Sequence, residues 1–185
     1  LFLGSNGKSN TPLGDGSLTW DQPGDQQPDK YSYDPRDPVM SVMDIDAQAM
    51  PRNQAVLDGR RDVLVYQTAP FKQELRLIGP VTVKLWAASD AVDTDFTAKL
   101  VIVYEDGIAV NLTYGIMRAQ YREGYDTPSL IAPGEPYEYT IQLNPVGVLF
   151  KPGQRLRLDI SSSDFPNFDR NHNTGKDYWS DAELR

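Results

Sequence analysis

The 185-residue sequence contains no cysteine and one histidine. Without cysteine there are no disulfides, no thiolate metal sites and no cysteine nucleophile. The compartment stays open between cytoplasm, which is favoured, and periplasm or exterior, where bacterial chains also do without cysteine. The one histidine, His172, sits in NFDRNHNTG, where no apolar framework would hold it against a serine, so it reads as a surface-loop residue and not a general base. Also missing is the G-x-S-x-G elbow that presents a nucleophile between strand and helix. The nearest look-alike, Leu3-Gly4-Ser5-Asn6-Gly7, places its serine directly after the glycine, has no helical pattern behind it and reads as a turn. No catalytic residue and no cofactor is therefore assigned within the chain. No apolar run approaches the roughly 20 residues of a membrane span. The opening LFLGSN lacks the basic start and apolar core of a signal peptide, which says nothing if the chain is a C-terminal fragment. Positive charge is in deficit: 18 Lys and Arg against 26 Asp and Glu give a formal net charge of −8. Nucleic acid and anionic membrane both need a basic patch, so neither is expected as a partner.

The composition suits one domain, since 39% hydrophobic residues can build a single core at this length. Residues 4–38 are dense in Gly, Pro, Asp, Asn and Ser, with short apolar pieces at Leu1–Leu3 and Leu18–Trp20, and read as extended, turn-rich chain. Residues 39–60 lack periodicity; a short helix over Asp46–Leu57, broken by Pro51, is the expectation there. From residue 62 the period becomes two, with strands expected in DVLVYQT, ELRLIGPVTVKLWAAS, FTAKLVIVYE, IAVNLTYGIMRAQY, YEYTIQL and RLRLDISSS. In VTVKLWAAS, Val81, Val83, Leu85 and Ala87 share a core face, and Thr82, Lys84, Trp86 and Ala88 an opposite face expected to be half covered. Turn signals fall at Gly79-Pro80, between strands or at a bend, and at Glu105-Asp106-Gly107, Pro133-Gly134 and Lys151-Pro152-Gly153. Near-absence of helix and this strand spacing predict an all-β fold, an antiparallel jelly-roll β-sandwich. Residues 1–60 form its entry segment and connection, and residues 61–185 its core.

Several residue groups invite a chemical reading. Asp90, Asp93 and Asp95, with Thr94, make an oxygen-rich turn that suggests calcium. No Gly-punctuated loop or downstream bidentate glutamate completes such a site. The turn reads as structural, with Asp93 or Asp95 bonding backbone amides or one of Arg118, Arg122 and Arg170, and no metal is assigned. Asn111-Leu112-Thr113 is a glycosylation sequon inside an expected strand and reads as a chance match. Trp20, Tyr31, Tyr33 and Trp179 suggest a sugar platform, but contact with another domain explains them better, because aromatics are enriched at interfaces.

Two stretches, SDAVDTDFTAKLVIVYEDG and FKPGQRLRLDISSSDFPNFDRNHNTG, closely resemble the C-terminal, non-catalytic domain of the X-Pro dipeptidyl-peptidase and cocaine esterase family. LFLGSNGKSN, GDGSLTW, YSYDPRDPV and LDGRRDVLVYQT extend the resemblance towards the start; residues 39–56 match poorly. The resemblance implies a galactose-binding-domain-like jelly roll, a partner α/β-hydrolase domain in the same polypeptide that holds the triad, and contacts to a homo-oligomer. It also implies that Met40, Val42 and Met43 line the acyl side of a substrate pocket; ordinary packing under a long loop is the alternative for the same residues. In SSSDFPNFDRN, Ser162 and its neighbours close a strand edge, Phe165 and Phe168 bury against the sandwich, and Asp169 pairs with Arg170 to pin the loop. Packing of this loop on the hydrolase domain is compatible with that role. Family members continue past NTG with a further strand, so a missing last strand and an unpaired edge are expected.

Overall fold

Two strands of this chain are buried on both sides, and their sequences show why. In Asp95–Val103, one set of alternating side chains is apolar (Phe96, Ala98, Leu100, Ile102) and the other includes Asp95, Thr97 and Lys99. Arg155–Ser161 repeats the arrangement, with Leu156, Leu158 and Ile160 opposed to Arg157, Asp159 and Ser161. Side chains alternate across a pleated strand, so the first set enters a core and the second forms a polar layer behind it.

The computed structural model describes residues 1–42, 53–177 and 181–182. It contains β1 (Phe2–Gly4), β2 (Ser17–Thr19), β3 (Leu64–Gln67), β4 (Leu75–Ala87), β5 (Asp95–Val103), β6 (Ala109–Arg118), β7 (Tyr137–Phe150) and β8 (Arg155–Ser161). Six of these form one sheet in the order β1-β2-β3-β8-β5-β6, antiparallel except where β2 meets β3. The long strands β4 and β7 form a separate antiparallel ribbon. The fold is an all-β sandwich of jelly-roll type, with no α-helix among the described residues.

The core lies between sheet and ribbon. Leu64, Tyr66, Phe96, Ala98, Leu100, Leu156, Leu158 and Ile160 meet Val83, Tyr139, Ile141, Leu143 and Phe150. Burying each large apolar side chain contributes about 1.5–3 kcal/mol, which makes this layer the main source of stability. Phe96 and Tyr139 pack with ring centroids 4.6 Å apart. Gly115 permits a close approach of β6 to the ribbon, because a Cβ there would lie 2.3 Å from the Gln142 carbonyl oxygen.

Four expectations need correction. Of the helix expected over Asp46–Leu57, the described part is a 3-10 turn at Gln54–Leu57 capped by Asn53; the remainder lies outside the described residues. β7 does not stop at Leu143 but runs on through Asn144-Pro145 to Phe150. A register shift between Gly79 and Val81 accommodates Pro80 and Pro145, which cannot donate to a ladder; Gly79-Pro80, read as lying between strands or at a bend, is the bend. The apolar pieces at Leu1–Leu3 and Leu18–Trp20 contribute strands that extend the large sheet. Finally, the outer face of β4 is open, with Thr82 and Lys84 exposed, Trp86 69% exposed and Ile78 78% exposed.

Candidate functional site

The polar layer behind β5 and β8 is covered by residues 39–42 and 53–63 and by the loop 162–171. Lys99, 9% exposed, places its Nζ 3.0 Å from Asp164 Oδ1 and 3.2 Å from Gln54 Oε1. Arg157, 2% exposed, donates from Nε and Nη2 to Asp159 and from Nη1 to Asp58. Burial pushes the Asp159 carboxyl up from its ordinary value, against the pull of Arg157. Charges so deeply placed persist only because each is paired.

A second cluster stands at the other end of β5. Arg118 grips Asp95 with two hydrogen bonds, at 2.8 and 3.0 Å. Asp93 accepts from the Gln120 backbone N–H and Nε2, and Asn171 Nδ2 donates to both Asp93 and Asp95. Burial raises the Asp93 pKa. With these carboxylates engaged by N–H donors, the oxygens a hard cation needs are taken. No acidic or histidine group suited to a metal occurs among the described residues. Arg122 and Arg170 serve elsewhere: Arg122 donates to the Ala119 and Ser129 carbonyls and lies over the Tyr137 ring, and Arg170 donates to the Pro35 carbonyl.

The loop 162–171 thus hangs between two anchors, Asp164 on Lys99 and Asn171 on Asp93 and Asp95. It in turn holds the entry segment. Tyr31 Oη and Ser162 Oγ hydrogen-bond at 2.8 Å, and Tyr33 Oη donates to the Asn171 carbonyl. Burial lifts the Tyr31 hydroxyl pKa to about 12. These hydroxyls are engaged within the domain and tie Tyr31 and Tyr33 to the loop; Trp20 is exposed and Trp179 lies outside the described residues. Further along, Val39 N–H donates to Ser163 Oγ, Ser41 N–H to the Phe165 carbonyl, and Ser41 Oγ to the Asp164 carbonyl. Met40 bridges Phe165 in a parallel pair and is 48% exposed, whereas Val42 packs on Val39, Leu57, Val63 and Val65. Met43 lies outside the described residues.

Phe165 and Phe168 are half-buried, and Phe168 does not enter the sandwich. It rests edge-on against Tyr114 on the outer face of β6, at 5.9 Å between centroids. There it lines a groove of about 200 Å³ with Ile116, Arg118, Tyr121 and Tyr125. Asp169, at the groove's rim, is exposed and makes no ion pair with Arg170 among the described residues, because the guanidinium is turned to Pro35.

No triad assembles. Ser5 Oγ is enclosed by Asp15 and Asp29 and accepts from the Gly7 N–H, and His172 is half-buried with Nδ1 3.9 Å from Asp181. The geometry is that of a scaffold whose polar interior fixes two surface segments. The sequence profile of the X-Pro dipeptidyl-peptidase C-terminal non-catalytic domain matches residues 1–184. The chain belongs to this family. As a member, it is 42% identical over 179 residues to the cocaine esterase of Rhodococcus sp. (strain MB1 Bresler), a match covering 95% of this chain and 31% of that protein. An aminopeptidase from the marine sediment archaeon Thaumarchaeota archaeon superposes with a TM-score of 0.80 at 29% identity, over 90% of this chain and 30% of that one. An α-amino acid ester hydrolase does so with a TM-score of 0.78 at 29% identity, over 92% and 30%. This C-terminal domain therefore spans about a third of the length of such relatives.

Sequence reasoning missed Lys99, Gln54, Ser163, Asp164 and Asn171. A signal was present for some. Lys99 is the one charge within the apolar run FTAKLVIVY, and Arg157 and Asp159, two apart in RLRLDIS, share a face of a central strand.

Proposed function

We propose that this chain is the accessory domain of a longer serine hydrolase that cleaves ester or amide bonds. On this reading an α/β-hydrolase domain of the same polypeptide supplies the serine, histidine and aspartate, and the present domain buttresses it. Met40, Val42 and Met43 face the acyl side of the substrate pocket, and Phe165, Phe168 and the loop around Ser162, Asp169 and Arg170 pack between the domains. Asp93, Asp95, Arg118 and Arg122 serve the scaffold. The observation that carries the proposal is coverage: nearly the whole chain matches less than a third of a cocaine esterase, within a family described as non-catalytic. The engagement of Ser5 Oγ by two carboxylates, Asp15 and Asp29, supports it.

The test is hydrolysis of p-nitrophenyl esters and an X-Pro anilide by the 185-residue chain and by the full-length product of the same coding region. Turnover is expected in the full-length protein alone, and its substrate preference names the subfamily. Activity in the isolated chain that survives repurification and disappears with Ser5→Ala or His172→Ala sinks the proposal.

A further inference from the structure

We infer that Lys99 is a positioning residue that sets where Met40 and Val42 stand, and through them the acyl selectivity of the parent hydrolase. The inference rests on the role proposed above for those two side chains. Its physical basis is that one buried ammonium touches the anchors of two separate pieces of chain. On one side Lys99 Nζ holds Asp164, whose loop binds Val39, Ser41 and Met40 through Ser163 Oγ, the Asp164 carbonyl and the Phe165 backbone. On the other it holds Gln54 Oε1, next to Asn53, whose side chain accepts from Ala109 N–H and caps the 3-10 turn. Residues 39–42 and 53–57 are thus tied to the same point of β5, and Val39, Val42 and Leu57 pack together beside it.

A direct chemical role for Lys99 is excluded by space. The cavity it lines, with Val39, Leu57, Thr97 and Ser163, measures about 20 Å³. That holds a water molecule at most, whereas ligand sites run to about 300–1,000 Å³. An ammonium is also poorly replaced there: three donors on one nitrogen reach two acceptors on different elements, which no apolar side chain of that length does. Loss of the ammonium leaves Asp164 with the Asn167 Nδ2 contact and removes the Lys99 contact of Gln54 Oε1.

The experiment uses the full-length polypeptide with Lys99→Met, the double variant Lys99→Met/Asp164→Asn, which leaves no unpaired buried charge, and Met40→Ala. Amide exchange is read at Val39, Ser41 and Ala109, with the β4–β7 ribbon as internal reference. kcat and KM are read for p-nitrophenyl esters of short and bulky acyl groups. Faster exchange at those three amides with an unchanged ribbon is expected in both Lys99 variants. The ratio of kcat/KM between the two acyl classes should shift by about tenfold, because displacements near 1 Å cost up to about 100-fold. Met40→Ala should shift the same ratio without loosening the amides. If Met40→Ala shifts it and the folded Lys99 variants do not, the inference is overturned and the proposed function stands. If neither shifts it, the pocket role of Met40 falls, and the inference with it.

Discussion

At the scale of single residues, burial separates ion pairs that matter from pairs that do not. Arg118–Asp95 is bidentate, sits at the end of a central strand and shares Asp95 with Asn171. Asp95→Ala is expected to cost about 1.5–3 kcal/mol in urea unfolding, since it removes a buried carboxylate that both Arg118 and Asn171 bond. Lys84–Glu138, also short at 3.1 Å, lies on the open face of the ribbon, and Glu138→Ala should cost less than about 1 kcal/mol. Equal losses from the two substitutions would contradict the ranking. The tyrosines supply a pH test. Burial raises Tyr31 from 10.0 to about 12, so the folded state favours the neutral phenol. Stability from this group is complete below pH 10 and is lost as pH rises through 12, because the unfolded chain releases the proton first. Burial raises Tyr139 to about 12 in the same way. Part of the tyrosinate absorbance should therefore appear only together with loss of near-ultraviolet circular dichroism. A single class completed while the fold persists would disprove this.

The ribbon is the element where sequence order and tertiary packing are most closely coupled. β4 and β7 remain paired across a register shift, with Pro80 and Pro145 at the bend, and this curvature lets the ribbon follow the twisted sheet below. β6 approaches it at Gly115, where backbone and not a flexible side chain would meet an added methyl. Gly115→Ala is expected to cost about 1–3 kcal/mol, as overpacking of a dense interior does. Thermal unfolding measures this, and a neutral or raised midpoint would show that β6 and β7 slide apart freely. The loop 162–171 behaves differently. Its few apolar contacts are supplemented by Asp164, Asn171 and the Tyr31 and Tyr33 hydroxyls, so it is held by directional bonds, which fix position more narrowly than burial.

At the scale of the whole molecule, the domain has a dense apolar layer on one side of the large sheet and a polar, tightly paired layer on the other. The second layer is where residues 39–42 and the loop meet, and it is the surface on which the proposed link to a hydrolase domain rests. Alternation and turn residues were enough to mark β3 to β6, β8, the first half of β7, the Asp106-Gly107 hairpin and the all-β architecture, because a period of two and positive-φ turn residues are local properties of the chain. The ordered matches of SDAVDTDFTAKL and SSSDFPNFDRN were enough to place the family. Local pattern could not show that Asn144-Pro145 continues a strand, since a proline's tolerance there depends on the partner's bulge. Nor could it pair Lys99 with Asp164 and Gln54, or Asn171 with Asp93 and Asp95. Those partners are separated by 45 to 78 residues, and a lone charge in a strand does not name its counterion. Which acid meets which base was decided only when the sheet closed, because burial makes an unpaired charge too costly to keep and geometry alone selects the pair.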